Sequence, residues 1–168
     1  MIRIDIVATP IGPLTVAERA ERLCLLHFGD GGAYVEKTLE RWYPGEGRLR
    51  REIAAVRAVL SRYFAGECTA IDTVAVELNG SEFQKRVWSG LRRIPSGATI
   101  SYAELARRIG EPTAVRAVGA ANGANPVALV VPCHRVIGSD GSLTGYGGGL
   151  DRKRWLLVHE GVVAPGLF

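Results

Sequence analysis

The chain has 168 residues, 47% of them apolar, and a formal net charge of +4, which suits one compact unit or two small ones packed together. No apolar run approaches the ~18 residues of a membrane span, and the N-terminal "MIRIDIVATPIGPLTVAE" alternates apolar and polar residues where a signal peptide would carry one apolar block. Cys24, Cys68 and Cys133 are odd in number and widely spaced, which argues against a disulfide framework and for a soluble, reduced, cytoplasmic protein that has no membrane partner.

The first third reads as sheet. "IRIDIVA" alternates, "TPIGP" supplies turn residues, and "LTVAE" and "LCLLHF" continue as strands. A helix is expected over 32–43. A stronger one is expected over 48–65, where Leu49, Ile53, Val56, Leu60 and Tyr63 recur at spacings of four and three. "IDTVAVEL" is a further strand candidate. A boundary falls near "NGSEF", where Asn79-Gly80 turns the chain and Ser81 can cap a new helix.

Beyond it, Phe83, Val87 and Leu91 line one face of a helix ending near Arg93. "SYAELARRIG" follows, with Ser101 and Glu104 at capping-box spacing and Gly110 as a stop. "EPTAVRAVGAANG" starts again with Pro112 in its first turn, so that two short helices flank a glycine-containing turn, the pattern of a helix-turn-helix. Ala114, Ala117, Gly119, Ala120 and Ala121 strip the second helix of bulk. Such a helix admits another backbone closely, either a neighbouring helix or a nucleic-acid groove, and Arg116 is the one long side chain among them. "VALVVPCHRVIG" is apolar and β-branched and reads as extended. Residues 138–149 hold six glycines in twelve and are not expected to be regular, and "LDRKRWLLVHEG" closes the chain as a helix.

Charge is uneven. Residues 1–79 carry 10 Lys and Arg against 11 Asp and Glu, whereas residues 80–168 carry 11 against 6. A polyanion would therefore find its site in the second half.

Cys133 stands in that half, between Pro132 and His134. A thiol attacks as thiolate, and its ordinary pKa is ~8.5, so it needs a base or a positive charge nearby. Neighbours on an extended strand point to opposite faces, so a water bridge from Cys133 to His134 is expected rather than direct contact. A base is usually oriented by a carboxylate, and Glu160 in "HEG" is available.

In order along the chain, "FQKRVWSGLRRIPSGATISYAELA", "RAVGAANGANPVALVVPCHRVIG" and "TGYGGGLDRK" resemble the O6-alkylguanine-DNA alkyltransferases, the methylated-DNA–protein-cysteine methyltransferases. "TPIGPL" and "YFAGE" extend the likeness loosely into the N-terminal part. The resemblance implies an α/β or α+β fold in two parts. Residues 1–79 would form a ribonuclease-H-like sheet-plus-helix domain without that activity, and residues 80–168 a winged-helix-like helix-turn-helix domain. It implies single-turnover repair of O6-alkylguanine, with no cofactor, by a monomer bound in the minor groove of double-stranded DNA with the damaged base flipped out. Some relatives bind zinc in the N-terminal part, but Cys24 and His27 here lack a four-ligand set, so no metal is expected. Cys133 would accept the alkyl group, His134 would act as base through a water, and Glu160 would hold the imidazole. Tyr102 would donate a proton to the departing guanine and Asn125 would be a hinge between recognition helix and thiol. Arg116 would fill the space of the extruded base, with Tyr102, Thr113, Ala114, Ala117, Gly119 and Ser139 against the DNA. Val136, Tyr146, Gly147 and Gly148 would line the base pocket. Arg135 would be structural or touch the hinge. Three rivals compete: an alkyltransferase-like protein, which lacks the acceptor cysteine; a dimeric regulator reading one sequence in the major groove; and a cysteine hydrolase, which would turn over repeatedly.

Overall fold

The computed structural model describes residues 1–162, and contacts divide the chain into two units: Met1–Asn79 with Pro126–Val130, and Gly80–Asn125 with the residues from Val131 on. In the first unit β1 (Ile2–Val7), β2 (Leu14–Arg19) and β3 (Arg22–Phe28) form an antiparallel meander in which Ile2 pairs with Arg19 and Leu14 with Phe28. The β2–β3 connection is Ala20-Glu21, both in the left-handed region at φ 47° and 62°, the backbone twist that suits a two-residue hairpin. After α1 (Gly32–Trp42), β4 (Arg48–Arg50) returns parallel to β1, so the sheet order is β3-β2-β1-β4. Alternation puts Ile2, Ile4, Ala17 and Leu25 on one face, and the register shift opposite Ala17 and Glu18 lets Cys24 join them, where they pack with Val35, Leu39 and Tyr43.

Two expectations fail in this unit. The helix expected over 48–65 is shorter: α2 spans Ala54–Phe64, and Leu49 lies on β4, 43% exposed, instead of on an apolar helical stripe. Asp5 of β1 sets the start, because its carboxylate accepts the backbone N–H of Ile53 at 2.9 Å and two bonds from Arg57 at 2.8 and 2.7 Å. Those bonds, from Arg57 first, hold the Asp5 carboxyl below its usual range despite burial. Val56, Leu60 and Tyr63 are buried as their spacing requires.

"IDTVAVEL" is not a strand. A 3-10 turn covers Cys68–Thr73, and Val76 makes only an isolated parallel bridge to Leu23. The outer edge of β3 is shared by two short segments, which explains the difference. Leu23 accepts the N–H of Glu77 and donates to Ala75, while Leu26 does the same with Ala128 and Pro126. Each segment satisfies part of the edge and neither runs long enough to become a strand.

The second unit begins with α3 (Glu82–Leu91). Its capping box is complete: Ser81 Oγ accepts from Gln84 N at 3.1 Å, and Gln84 Oε1 accepts from Ser81 N at 2.9 Å. β5 (Ile100–Ser101) leads into α4 (Tyr102–Arg108), where Ser101 Oγ accepts from Glu104 N. The Glu104 carboxylate does not complete a box; it is held by Arg107 and Arg108. Gly110, at φ 78°, ends the helix as expected. α5 (Val115–Gly123) starts later than expected, with Pro112 outside it and not in its first turn, because Ala114 N first closes a turn onto Glu111 O at 2.9 Å. Trp88 Nε1 donates to Ala121 O at 2.8 Å and ties α3 to α5. Gly90 brings α3 and α4 close, since a Cβ there would stand 2.9 Å from Ile109 Cγ2. β6 (Val136–Ile137) pairs in parallel with β5, the chain over 138–149 has no regular element, and α6 (Leu150–His159) closes the unit.

Candidate active site

The largest correction concerns Cys133 itself. It is not on an extended strand; Cys133–Arg135 forms a single 3-10 turn with Pro132 at its start, and the strand begins only at Val136. Cys133 N donates to Val131 O at 2.8 Å and Arg135 N to Pro132 O at 3.1 Å, so the proline-led bend turns the backbone before the apolar run can pair. Cys133, His134 and Arg135 are all buried. The short β5–β6 ladder links this turn to the start of α4, with Ser101 opposite Ile137 and Tyr102 next in the chain.

Glu160, at the end of α6, receives both neighbours of the thiol. His134 Nε2 lies 2.9 Å from Glu160 Oε1, while Arg135 donates through Nη2 to Oε1 and through Nε to Oε2, each at 2.9 Å. Arg135 also donates to Ile94 O at 2.6 Å, so the residue of least certain role is the cation of a buried, bidentate pair. Burial alone would raise the Glu160 carboxyl; the His134 and Arg135 contacts outweigh it and hold that carboxyl well below its usual range. Burial, against the pull of Glu160, lowers His134 and keeps its ring neutral. An ionised carboxylate can only accept, so Nε2 carries the proton and Nδ1 the lone pair. Nδ1 is buried and takes no hydrogen bond from the described residues.

Burial pushes the Cys133 thiol up, and the Asn125 hydrogen bond and the Lys153 charge offset only part of that rise. The resting group is therefore a thiol, and a thiol becomes a nucleophile only when a base takes its proton. Asn125 Nδ2 also donates to Val131 O at 2.7 Å, fastening the end of the α5 segment to the residues before the turn.

Sequence reasoning missed Lys153. It is fully buried on α6, donating to Val136 O at 2.6 Å and Thr144 O at 2.8 Å, and burial brings its pKa down to about 8. The signal was present: Lys153, Leu156, Leu157 and Glu160 recur at three and four on the inward face of α6.

The remaining candidates fall into two groups. Tyr102 is half-buried; its hydroxyl makes long contacts with Thr144, at 3.4 Å to the carbonyl and 3.3 Å from Oγ1. A Cβ on Gly119 would stand 3.9 Å from the Tyr102 ring, so α5 presents its small residues beside that ring. Arg116, Ala117 and Thr113 are exposed, Ala114 caps α5, and Arg116 makes no ion pair among the described residues. Ser139 is exposed in the turn closed by Gly141 N to Gly138 O. Val136 is fully buried and Tyr146 is half-buried, its ring edge-on to His134 with centroids 6.5 Å apart. Gly147 is exposed, and buried Gly148 accepts from Arg152 at 3.1 Å.

A buried thiol, a neutral imidazole with a free lone pair and an anchoring carboxylate, next to a helix of small residues bearing one exposed cation, suit nucleophilic attack on a group carried by a polyanion. Comparison with known proteins agrees. Two family models match: the 6-O-methylguanine DNA methyltransferase ribonuclease-like domain over residues 2–78, and the DNA binding domain of the same family over residues 82–162. The methylated-DNA–protein-cysteine methyltransferase of Mycolicibacterium paratuberculosis is 51% identical over 160 residues, 95% of this chain and 93% of the relative. That of Salmonella typhimurium is 46% identical over 159 residues, 92% and 93% of the two chains. The crystal structure of Mycobacterium tuberculosis OGT in complex with DNA superposes with a TM-score of 0.79 at 42% identity, covering 94% of this chain and 92% of that one.

Proposed function

Because the chain belongs to the 6-O-methylguanine DNA methyltransferase family and so repairs O6-alkylguanine in DNA by alkyl transfer to a cysteine, we propose that Cys133 is its acceptor. The observation that carries this reading is the contact of His134 Nε2 with Glu160. With Nε2 committed to Glu160, the unpaired Nδ1 is left as a base within the turn that holds the thiol.

The steps follow from that assignment. A paired base cannot present its O6 atom to a buried sulfur, so the nucleotide leaves the stack, at a cost of a few kcal/mol, roughly. Arg116, exposed on a helix of alanine and glycine, enters the space left behind while Ala117 and Gly119 let the minor groove come close. Val136, Tyr146 and the Gly147-Gly148 backbone receive the base. His134 Nδ1 takes the thiol proton through a water as Sγ attacks the alkyl carbon in line. The carbon–O6 bond breaks, its electron pair returns to the purine, and Tyr102 supplies a proton to the guanine. The thiol proton passes to His134 and guanine takes one from Tyr102; solvent then neutralises the imidazolium and reprotonates the phenolate, so the products are guanine and a neutral thioether. A thioether has no acidic proton and is a poor leaving group, so each molecule acts once. Every group named lies on one chain, consistent with a monomer, and an acceptor that must stay reduced suits the cytoplasm. No helix among the described residues is long and apolar enough to cross a membrane.

The test is to incubate the protein with duplex DNA containing O6-methylguanine and weigh its peptides. One methyl group should appear on the peptide containing Cys133 and be absent in Cys133→Ser. Methylation of Cys24 or Cys68 instead, or of no cysteine, would refute the assignment.

A further inference from the structure

One face of α3 lies outside the acceptor site and carries cations. Lys85 and Arg86 on α3, Arg93 in the turn just past its end, and Arg108 at the end of α4 line a groove of about 550 Å³. Its floor is the close contact of Gly90 with Ile109. Among the described residues the only carboxylate lining it is Glu82, which approaches Lys85 at 3.6 Å. Arg86 pairs with Glu111 at 2.8 Å and Arg108 with Glu104 at 2.7 Å, whereas Arg93 is exposed and pairs with no carboxylate among the described residues. Exposed ion pairs of this kind are weak and readily exchange one anion for another.

The position says which anion. The Arg86–Glu111 pair joins the groove to the turn between α4 and α5, and Arg108 lies about 9 Å along α4 from Tyr102, at 1.5 Å per residue. Lys85 to Arg93, through α3 and the turn after it, spans about 12 Å, equal to three or four nucleotides of one strand at ~3.4 Å each. Resting on the reading that α5 engages the damaged duplex, we infer that this groove binds phosphodiester groups of the same duplex, on its backbone beyond the lesion. It takes no part in alkyl transfer. It extends the footprint and raises the electrostatic share of binding, which a repair protein needs in order to scan DNA irrespective of sequence.

The experiment compares the wild type with a Lys85→Ala/Arg93→Ala double variant. Both side chains are surface cations outside the acceptor machinery. Affinity for lesion-containing duplex is followed against salt on two lengths, about one helical turn and about three. On the longer duplex the log–log salt slope should become shallower by about 1.8, or about 0.9 for each lost phosphate contact. On the shorter one, which reaches only ~17 Å either side of a central lesion and so covers part of the groove, the change should be smaller, and methyl uptake from free O6-methylguanine base should equal wild type. An Arg50→Ala/Arg51→Ala variant removes the same net charge from the first unit and should leave both slopes alone. An unaltered slope on the longer duplex overturns the inference; so does an equal change on both lengths, or an equal change in the Arg50/Arg51 control. Failure of wild-type Cys133 to become methylated would instead strike the proposed function, so the two failures are distinct.

Discussion

Replacing Glu160 by Gln removes one charge from the most connected buried group of the site while keeping its size. The carboxylate accepts from His134 and twice from Arg135, all at 2.9 Å and all buried. The amide can satisfy one of the Arg135 bonds through its oxygen, but it leaves the buried guanidinium without a counter-charge. Removing one partner of a buried ion pair costs about 3–5 kcal/mol. At about 2–4 °C per kcal/mol for a chain of this size, the melting temperature should fall by roughly 6–20 °C. The amide N–H₂ can also donate to His134 Nε2, which moves the imidazole proton to Nδ1 and removes the lone pair that deprotonates Cys133. Loss of a general base typically costs 10²–10⁴-fold, so single-turnover methyl transfer, measured at a temperature where the variant is fully folded, should slow by about that factor. His134→Ala should slow transfer similarly yet lower the melting temperature less, because the Arg135–Glu160 pair survives. Transfer by Glu160→Gln within about threefold of wild type would refute the tautomer argument. A change in melting temperature no larger than that of His134→Ala would refute the account of the buried pair.

Arg116→Ala should slow transfer from duplex DNA by about 10–100-fold, worth roughly 1.4–2.8 kcal/mol of extrusion, and leave transfer from the free base unchanged; equal loss on both substrates would remove the wedge role. Burial holds His134 below its ordinary pKa of 6.5, so the transfer rate should stay flat from pH 8 down to 6.5 and fall only under more acidic conditions. A rate that halves at 6.5 would contradict a buried neutral base. The same depression means that the unfolded chain binds more protons just under pH 6.5. Stability measured by denaturant should therefore drop as pH falls through that window, and drop again below about 4.5 as Glu160, also depressed, is titrated.

Much of the local structure could be read directly. Ser81 with Gln84 caps α3, Gly110 ends α4, and the six glycines of 138–149 exclude a regular element. These are short-range effects: a cap, a positive φ and a missing side chain act within four residues of themselves. The misreadings share the opposite cause. Leu49 matched a helical stripe but was claimed by β1, and "IDTVAVEL" had strand composition but met an edge already shared with Pro126–Ala128. In both cases a partner many residues away decided what the segment became.

The candidate site divides in the same way. Residue type and spacing offered Cys133, His134, Glu160 and Arg116 as candidates, because nucleophile, base, carboxylate and cation are properties of side chains, whereas Tyr102 entered only through the family resemblance. Tertiary structure alone decided that Cys133 sits in a 3-10 turn, that Arg135 shares the Glu160 carboxylate with His134, and that Lys153 is buried among carbonyls. Which nitrogen of an imidazole holds its proton, and which lysine is stripped of water, depend on groups brought together from 26 and 17 residues away, and no local pattern encodes that meeting.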